Sequence, residues 1–171
     1  CWGGGGWGGA WGVGGPGEGA WTRRAEQWGR GAGAWSPRRE MAERRTNSGA
    51  VAVPDGRAMV TGGGWREDGE RVYASAEVLA ADGSGWSALA PMGTKRDGPV
   101  ATVLPCGKVL VAGGGNIDYA GRLSMLRTAE LWDPATGAWS DLPPMAEGRE
   151  QAGCCVLPGG RAAGVGGMDS G

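Results

Sequence analysis

The sequence predicts an all-β protein built from repeated four-stranded antiparallel sheets. Three observations carry that prediction. Landmark residues recur at a period just above fifty, each period holds short small or β-branched runs closed by turn residues, and one segment alone absorbs the change in repeat length.

The period shows first in the pair Trp-Ser, at Trp35-Ser36, Trp86-Ser87 and Trp139-Ser140, with spacings of 51 and 53 residues. Met41, Met92 and Met145 keep those spacings, as do Arg45, Arg96 and Arg149, and Pro54, Pro105 and Pro158. The glycine pairs Gly62-Gly63, Gly113-Gly114 and Gly166-Gly167 follow the same rule. Ala25-Glu26, Ala76-Glu77 and Ala129-Glu130 each stand ten residues before a repeated Trp, which extends the register upstream. Between the glycines and Ala-Glu the second unit carries two more residues, and a segment that alone changes length belongs on the surface.

Within a unit the elements follow in order. Ala50-Val51-Ala52-Val53 is a first strand, ended by the turn Pro54-Asp55-Gly56-Arg57. Ala58-Met59-Val60-Thr61 is a second strand that stops at Gly62-Gly63-Gly64. A variable loop follows, then a third strand at Ala76-Glu77-Val78-Leu79, a turn, and a fourth strand from Trp86. The second unit has the clearer third turn, Asp133-Pro134-Ala135-Thr136-Gly137. Such a meander cannot bury both faces by itself, and radial stacking of meanders into a β-propeller solves the problem.

The order of apolar strand, glycine pair, variable loop, Glu-apolar strand and Trp, at a period near fifty, resembles the kelch repeat. The resemblance covers about residues 25–171. Kelch repeats usually carry Tyr in the third strand, where this chain has Trp28, Leu79 and Trp132. The implied fold is a kelch-type β-propeller fragment with four-stranded antiparallel blades. Residues 25–36 are the second half of a blade, 37–87 and 88–140 are complete repeats, and 141–171 are the first half of another. Kelch propellers generally close with more blades than this, so the remaining blades are expected from missing sequence or from another chain. Residues 1–24 form a Gly/Trp-rich, low-complexity run, expected to be disordered because each glycine loses much backbone freedom on ordering.

Composition narrows the function classes. Seventeen basic and eighteen acidic residues leave a net charge of −1, and no basic cluster marks a nucleic-acid partner. Histidine is absent, which removes Cys2His2 zinc, Ser-His-Asp and histidine-ligated copper chemistry from this segment. The four cysteines show no metal or redox spacing, and no apolar run reaches the ~20 residues of a membrane helix. No catalytic residue, metal or cofactor is expected.

The stretch Gly107–Asn116, GKVLVAGGGN, matches neither a P-loop nor a dinucleotide fingerprint, and its glycines recur in every unit. They are therefore expected to serve a sharp turn or a close backbone approach. The repeated Trp and Met are expected to pack between blades. Arg45, Arg96 and Arg149 carry two readings: guanidinium groups that bind carboxylates on the long-loop face, or ion pairs inside each blade. The meander places them beside loops 64–75 and 115–128, with the tight turns on the opposite face. Trp65, Arg66, Tyr73, Asp118, Tyr119 and Arg122 in those loops are side-chain types that dominate recognition surfaces.

Two functional classes follow. One is a non-catalytic module that binds a protein, peptide or carbohydrate through the loop face, as the kelch resemblance implies. The other is a kelch-scaffold enzyme, galactose-oxidase-like or sialic-acid-epimerase-like, with its catalytic residues in further blades.

Overall fold

The computed structural model describes residues 11–13, 16–17, 20–21, 23–29, 33–66, 70–117 and 123–168. Its strands fall into four successive groups. The first holds β1 (Trp11–Val13), β2 (Pro16–Gly17), β3 (Ala20–Trp21), β4 (Ala25–Gly29) and β5 (Ala34–Pro37). The second holds β6 (Gly49–Ala52), β7 (Ala58–Thr61), β8 (Gly64–Arg66), β9 (Glu70–Val72), β10 (Ala76–Leu79) and β11 (Trp86–Ala88). The third holds β12 (Val100–Val103), β13 (Val109–Ala112), β14 (Gly115–Ile117), β15 (Leu123–Met125), β16 (Ala129–Asp133) and β17 (Ala138–Leu142). The last is β18 (Gly153–Val156) with β19 (Ala162–Val165).

The second and third groups are complete blades, with sheet orders β6-β7-β10-β11 and β12-β13-β16-β17, antiparallel throughout. The expected four-stranded meander is therefore the unit of the fold. The first strands β6, β12 and β18 pack side by side, so neighbouring blades meet along their innermost strands.

Period-two alternation explains how one strand serves two interfaces. In β13, Val109 and Val111 point toward the preceding blade and join Val53, Met59, Ala76, Met92 and Trp132 in one apolar cluster. Leu110 and Ala112 point the other way, toward Ala152 and Cys154 of the following sheet. At the third-strand position that departs from Tyr, Trp132 is 1% exposed and fills the interface between blades, although its indole nitrogen is buried without a hydrogen-bond partner among the described residues. The repeated indoles fasten blades as well: Trp86 Nε1 donates to the Arg39 carbonyl at 2.7 Å and Trp139 Nε1 to the Ala90 carbonyl at 2.8 Å.

The glycine pairs do the same from the backbone. Gly62 and Gly113 are left-handed (φ 61° and 67°), and a Cβ on Gly62 would lie 2.5 Å from the Arg96 carbonyl oxygen. At Gly113 a Cβ would collide with the Arg149 carbonyl. The second glycine of each pair then donates to that carbonyl, Gly63 N to Arg96 O at 2.7 Å and Gly114 N to Arg149 O at 2.8 Å. GKVLVAGGGN is thus a site of close approach between blades, its amides occupied by protein.

One sequence expectation differs from the structure. Segments 64–75 and 115–128 are not simple loops: their bases fold into the hairpins β8–β9 and β14–β15, because each strand bears free backbone groups that its neighbour satisfies. The two extra residues of the second unit fall in sequence between β14 and β15. Of the run 1–24, residues 1–10, 14–15, 18–19 and 22 lie outside the described residues; among the others β1 pairs with β4 and β2 with β3. The pairing Gly12↔Glu26 repeats Val60↔Glu77 and Val111↔Glu130, so Trp11–Val13 stands as the second strand of the first group. Cross-strand pairing supplies what the glycine-rich composition does not reveal.

Candidate functional site

The hairpins rise from the ends of the second strands, on the side where the links between blades return. The bridges Thr46↔Gly64, Asp97↔Gly115 and Glu150↔Met168 tie the residue after each repeated arginine to the start of that side. Arginine links and hairpins therefore share one face, as the meander argument requires.

On this face Arg45 and Arg96 are completely buried. Arg45 donates through Nε and one terminal nitrogen to Glu77 Oε1 at 3.1 and 3.0 Å. Its other donors meet the Gly62 carbonyl, the Ser75 carbonyl and Ser75 Oγ at 2.8–3.1 Å. Arg96 repeats the set with Glu130 Oε1, the carbonyls of Gly113 and Thr128, and Thr128 Oγ1. Each carboxylate also accepts amides of the link, Ala42 N on Glu77 and Gly93 N on Glu130. A guanidinium has five N–H donors, and here all five are spent inside the blade. These two arginines are thus structural cross-links, which is the second of the two readings offered by the sequence. Removal from the docking surface follows from burial.

Arg149 differs. It donates to the Gly166 carbonyl at 3.0 Å and lies 3.4 Å from Glu147, with its side chain 25% exposed.

A cleft of about 500 Å³ lies between the two hairpins, lined by Glu43, Arg71, Tyr73, Ser75, Lys95, Asn116 and Ile117 among others. Tyr73 belongs to the expected set. Its ring sits under the Arg45 guanidinium, 5.3 Å from ring centroid to carbon, and burial, reinforced by the Glu43 charge, pushes its phenol above the usual range. The phenol therefore stays a hydrogen-bond donor across neutral pH. Glu43 is already engaged, accepting from Ser75 Oγ at 2.7 Å and facing Arg45 at 3.2 Å. Arg71 and Lys95 are exposed at the rim. The arrangement offers positive charge, one phenol and one amide to a group entering the cleft.

Trp65 and Arg66 lie on β8, at the base of the first hairpin. Asp118, Tyr119 and Arg122 lie outside the described residues. Sequence reasoning did not single out Glu43, Arg71, Lys95 and Asn116. The available signal was adjacency: Lys95 precedes a buried repeated arginine, and extended backbone turns neighbours to opposite sides. Among the described residues no three His, Cys, Asp or Glu come together as a metal-binding group. Cys154 and Cys155 are half-buried strand residues of β18, with the Cys154 thiol pushed up by burial and then by its neighbour, and Cys106 is exposed in a turn.

No family model matches the chain. Over 123 residues it is 32% identical to the F-box/kelch-repeat protein SKIP20 of Arabidopsis thaliana, covering 64% of this chain and 28% of that protein. A second F-box/kelch-repeat protein of the same plant is 31% identical over 101 residues, covering 59% of this chain and 24% of its own length. The chain thus spans about a quarter of the length of these curated relatives. Among solved structures, a fungal alcohol oxidase of the AA5 family in complex with copper superposes with a TM-score of 0.68 at 22% identity, over 85% of this chain and 33% of its own. The protein YjhT superposes with a TM-score of 0.65 at 17% identity, over 83% of this chain and 48% of its own. Both are kelch-type propellers, a likeness of fold. By repeat pattern, sheet order and these likenesses together, the chain resembles kelch-repeat proteins and has the fold of a kelch-type β-propeller.

Proposed function

We propose that this propeller segment is a non-catalytic interaction module whose hairpin face seats an acidic group of a protein, peptide or glycan. The observation that carries the reading is the charge of the cleft: Arg71 and Lys95 stand at its rim, while Glu43 is held by Ser75 and Arg45. Tyr73 adds a phenolic donor, and Asn116 an amide, to the same opening. Likeness to F-box/kelch-repeat proteins supports a protein partner over a small metabolite. Trp65, Arg66, Asp118, Tyr119, Arg122 and Arg149 remain candidates to extend the contact around the cleft.

The enzyme alternative has the fold likeness to the copper-bound oxidase behind it. The chain holds no histidine, so copper held by histidines does not fit the residues present.

Isothermal titration with an oligoglutamate peptide and with a uronic-acid oligosaccharide tests the proposal. One of the two is expected to bind, and the double variant Arg71→Ala, Lys95→Ala should weaken it about tenfold or more through lost charge-assisted hydrogen bonds. Absence of binding to both, or equal binding by the variant, would remove the cleft as the recognition site.

A further inference from the structure

The two complete blades share the arginine, its glutamate and the glycine pair, so the places where they differ are informative. Both arginine links perform the same backbone duty. The Glu43 amide donates to Glu77 Oε1 at 3.4 Å, and the Thr94 amide to Glu130 Oε1 at 3.2 Å. The side chains at this place do not repeat. Arg96 has its five donors met with Thr94 two residues before it, so the cross-link needs no carboxylate there. Glu43 is an acid that the blade does not require.

The walls of the cleft differ in the same way. The pairings Gly64↔Val72 and Gly115↔Met125 put Arg71 in register with Ser124. The amides of Tyr73 and Leu126 reach the carbonyls of Gly63 and Gly114, so those two residues correspond as well. Lys95 and Gly148 each precede a repeated arginine. Gly148 is buried, and a Cβ on it would collide with the Met125 carbonyl. The acid, both bases and the phenol of the cleft thus become Thr, Ser, Gly and Leu one unit later. Side chains that the repeat can do without, gathered at one opening, mark a site rather than a scaffold.

Glu43 is fixed yet accessible. Its Oε2 accepts Ser75 Oγ at 2.7 Å and faces Arg45 at 3.2 Å, while the side chain stays 41% exposed. Its charge is felt across the opening, since it is second only to burial in holding the Tyr73 phenol above the usual range. Arg45 and Glu77 offset one another behind the wall. The lining itself sets Arg71 and Lys95 against Glu43, which leaves one positive charge in excess. A single carboxylate neutralises that excess. A phosphoryl group carries about −1.5 to −2 at neutral pH and would leave surplus negative charge beside a fixed anion.

We propose that Glu43 is the specificity-determining residue of the cleft, which admits one carboxylate of an acidic peptide and turns away a phosphoryl group. The inference rests on the recognition role proposed for the cleft and names the chemistry it selects. Arg71 and Lys95 attract either anion, and Glu43 is the repulsive element that separates them. Val72, Ala74 and Ile117 give the same opening an apolar side, which suits an acidic residue flanked by leucine.

The probes are two fluorescein-labelled peptides, alike except that one carries glutamate and the other phosphoserine between two leucines. Each is titrated at pH 7.4 by anisotropy with the whole chain, with Glu43→Gln and with Glu43→Thr. Glu43→Gln keeps an acceptor for Ser75, and Glu43→Thr installs the side chain that the next unit already carries, so both are expected to fold. The unaltered chain should prefer the glutamate peptide. Both variants should shift the ratio of the two affinities about tenfold or more toward phosphoserine, the change expected for one nearby charge. Preference of the unaltered chain for phosphoserine, or a ratio unmoved in either variant, overturns the role of Glu43 and leaves the cleft as a recognition site. Absence of saturable binding by all three proteins overturns both.

Discussion

Arg96 and Arg149 occupy the same place in two successive units, follow the same link and point at the same glycine carbonyl. One is completely buried with five satisfied donors, and the other is a quarter exposed, bonded to a glycine carbonyl and to the exposed Glu147 carboxylate. The difference teaches that the repeated arginine is not intrinsically a surface or a core residue. Its burial is made by the third strand that closes over it, and a buried charge is tolerated only where every donor is met.

Glu130→Gln set against Arg149→Met gives the largest contrast. The first leaves a buried guanidinium short of its counter-charge and should cost about 3–5 kcal/mol in chemical denaturation. The second removes a partly exposed group and should cost less than about 1 kcal/mol. Equal losses would mean that the two sockets are energetically alike and that the comparison is wrong.

The glycines sharpen it further. Gly113 and Gly166 share a left-handed backbone (φ 67° and 68°), but a Cβ at Gly113 meets the Arg149 carbonyl and one at Gly166 meets nothing within 4 Å. Gly166→Ala should therefore carry only the left-handed penalty, about 1–2 kcal/mol. Gly113→Ala should add the displacement of neighbouring backbone, for about 2–5 kcal/mol in all. A thermal melt that ranks them the other way would argue against close approach as the role of the glycine pair.

The smallest expected effect is at the indoles. Trp139→Phe loses the bond to the Ala90 carbonyl and should cost about 1 kcal/mol or slightly more. Trp35, 49% exposed, packs edge-on against Trp28 at 5.9 Å, and Trp35→Phe should stay within about 0.5 kcal/mol.

Much of the fold was legible because the repeat writes each strand several times. Ala58–Thr61 and Ala76–Leu79 stand where their β-branched and apolar runs and flanking turns put them. The hairpins β8–β9 and β14–β15 were not legible, since their unlike sequences keep no common register and their pairing depends on chain returning from the glycines. Of the site, Tyr73 was found from its type, whereas Lys95 and Glu43 come from links that only folding brings against a hairpin.

The sequence by itself determined the period, the order of strands within a blade, and the positions of glycine, arginine and tryptophan that join blades. Those are local or repeated constraints, and repetition makes them visible. Tertiary structure decided which face of β13 meets which neighbour, which arginines are sealed by a glutamate, and where two hairpins leave a positively charged cleft. Each of these depends on residues 30 to 50 positions apart meeting in space, so no single stretch of chain contains the answer.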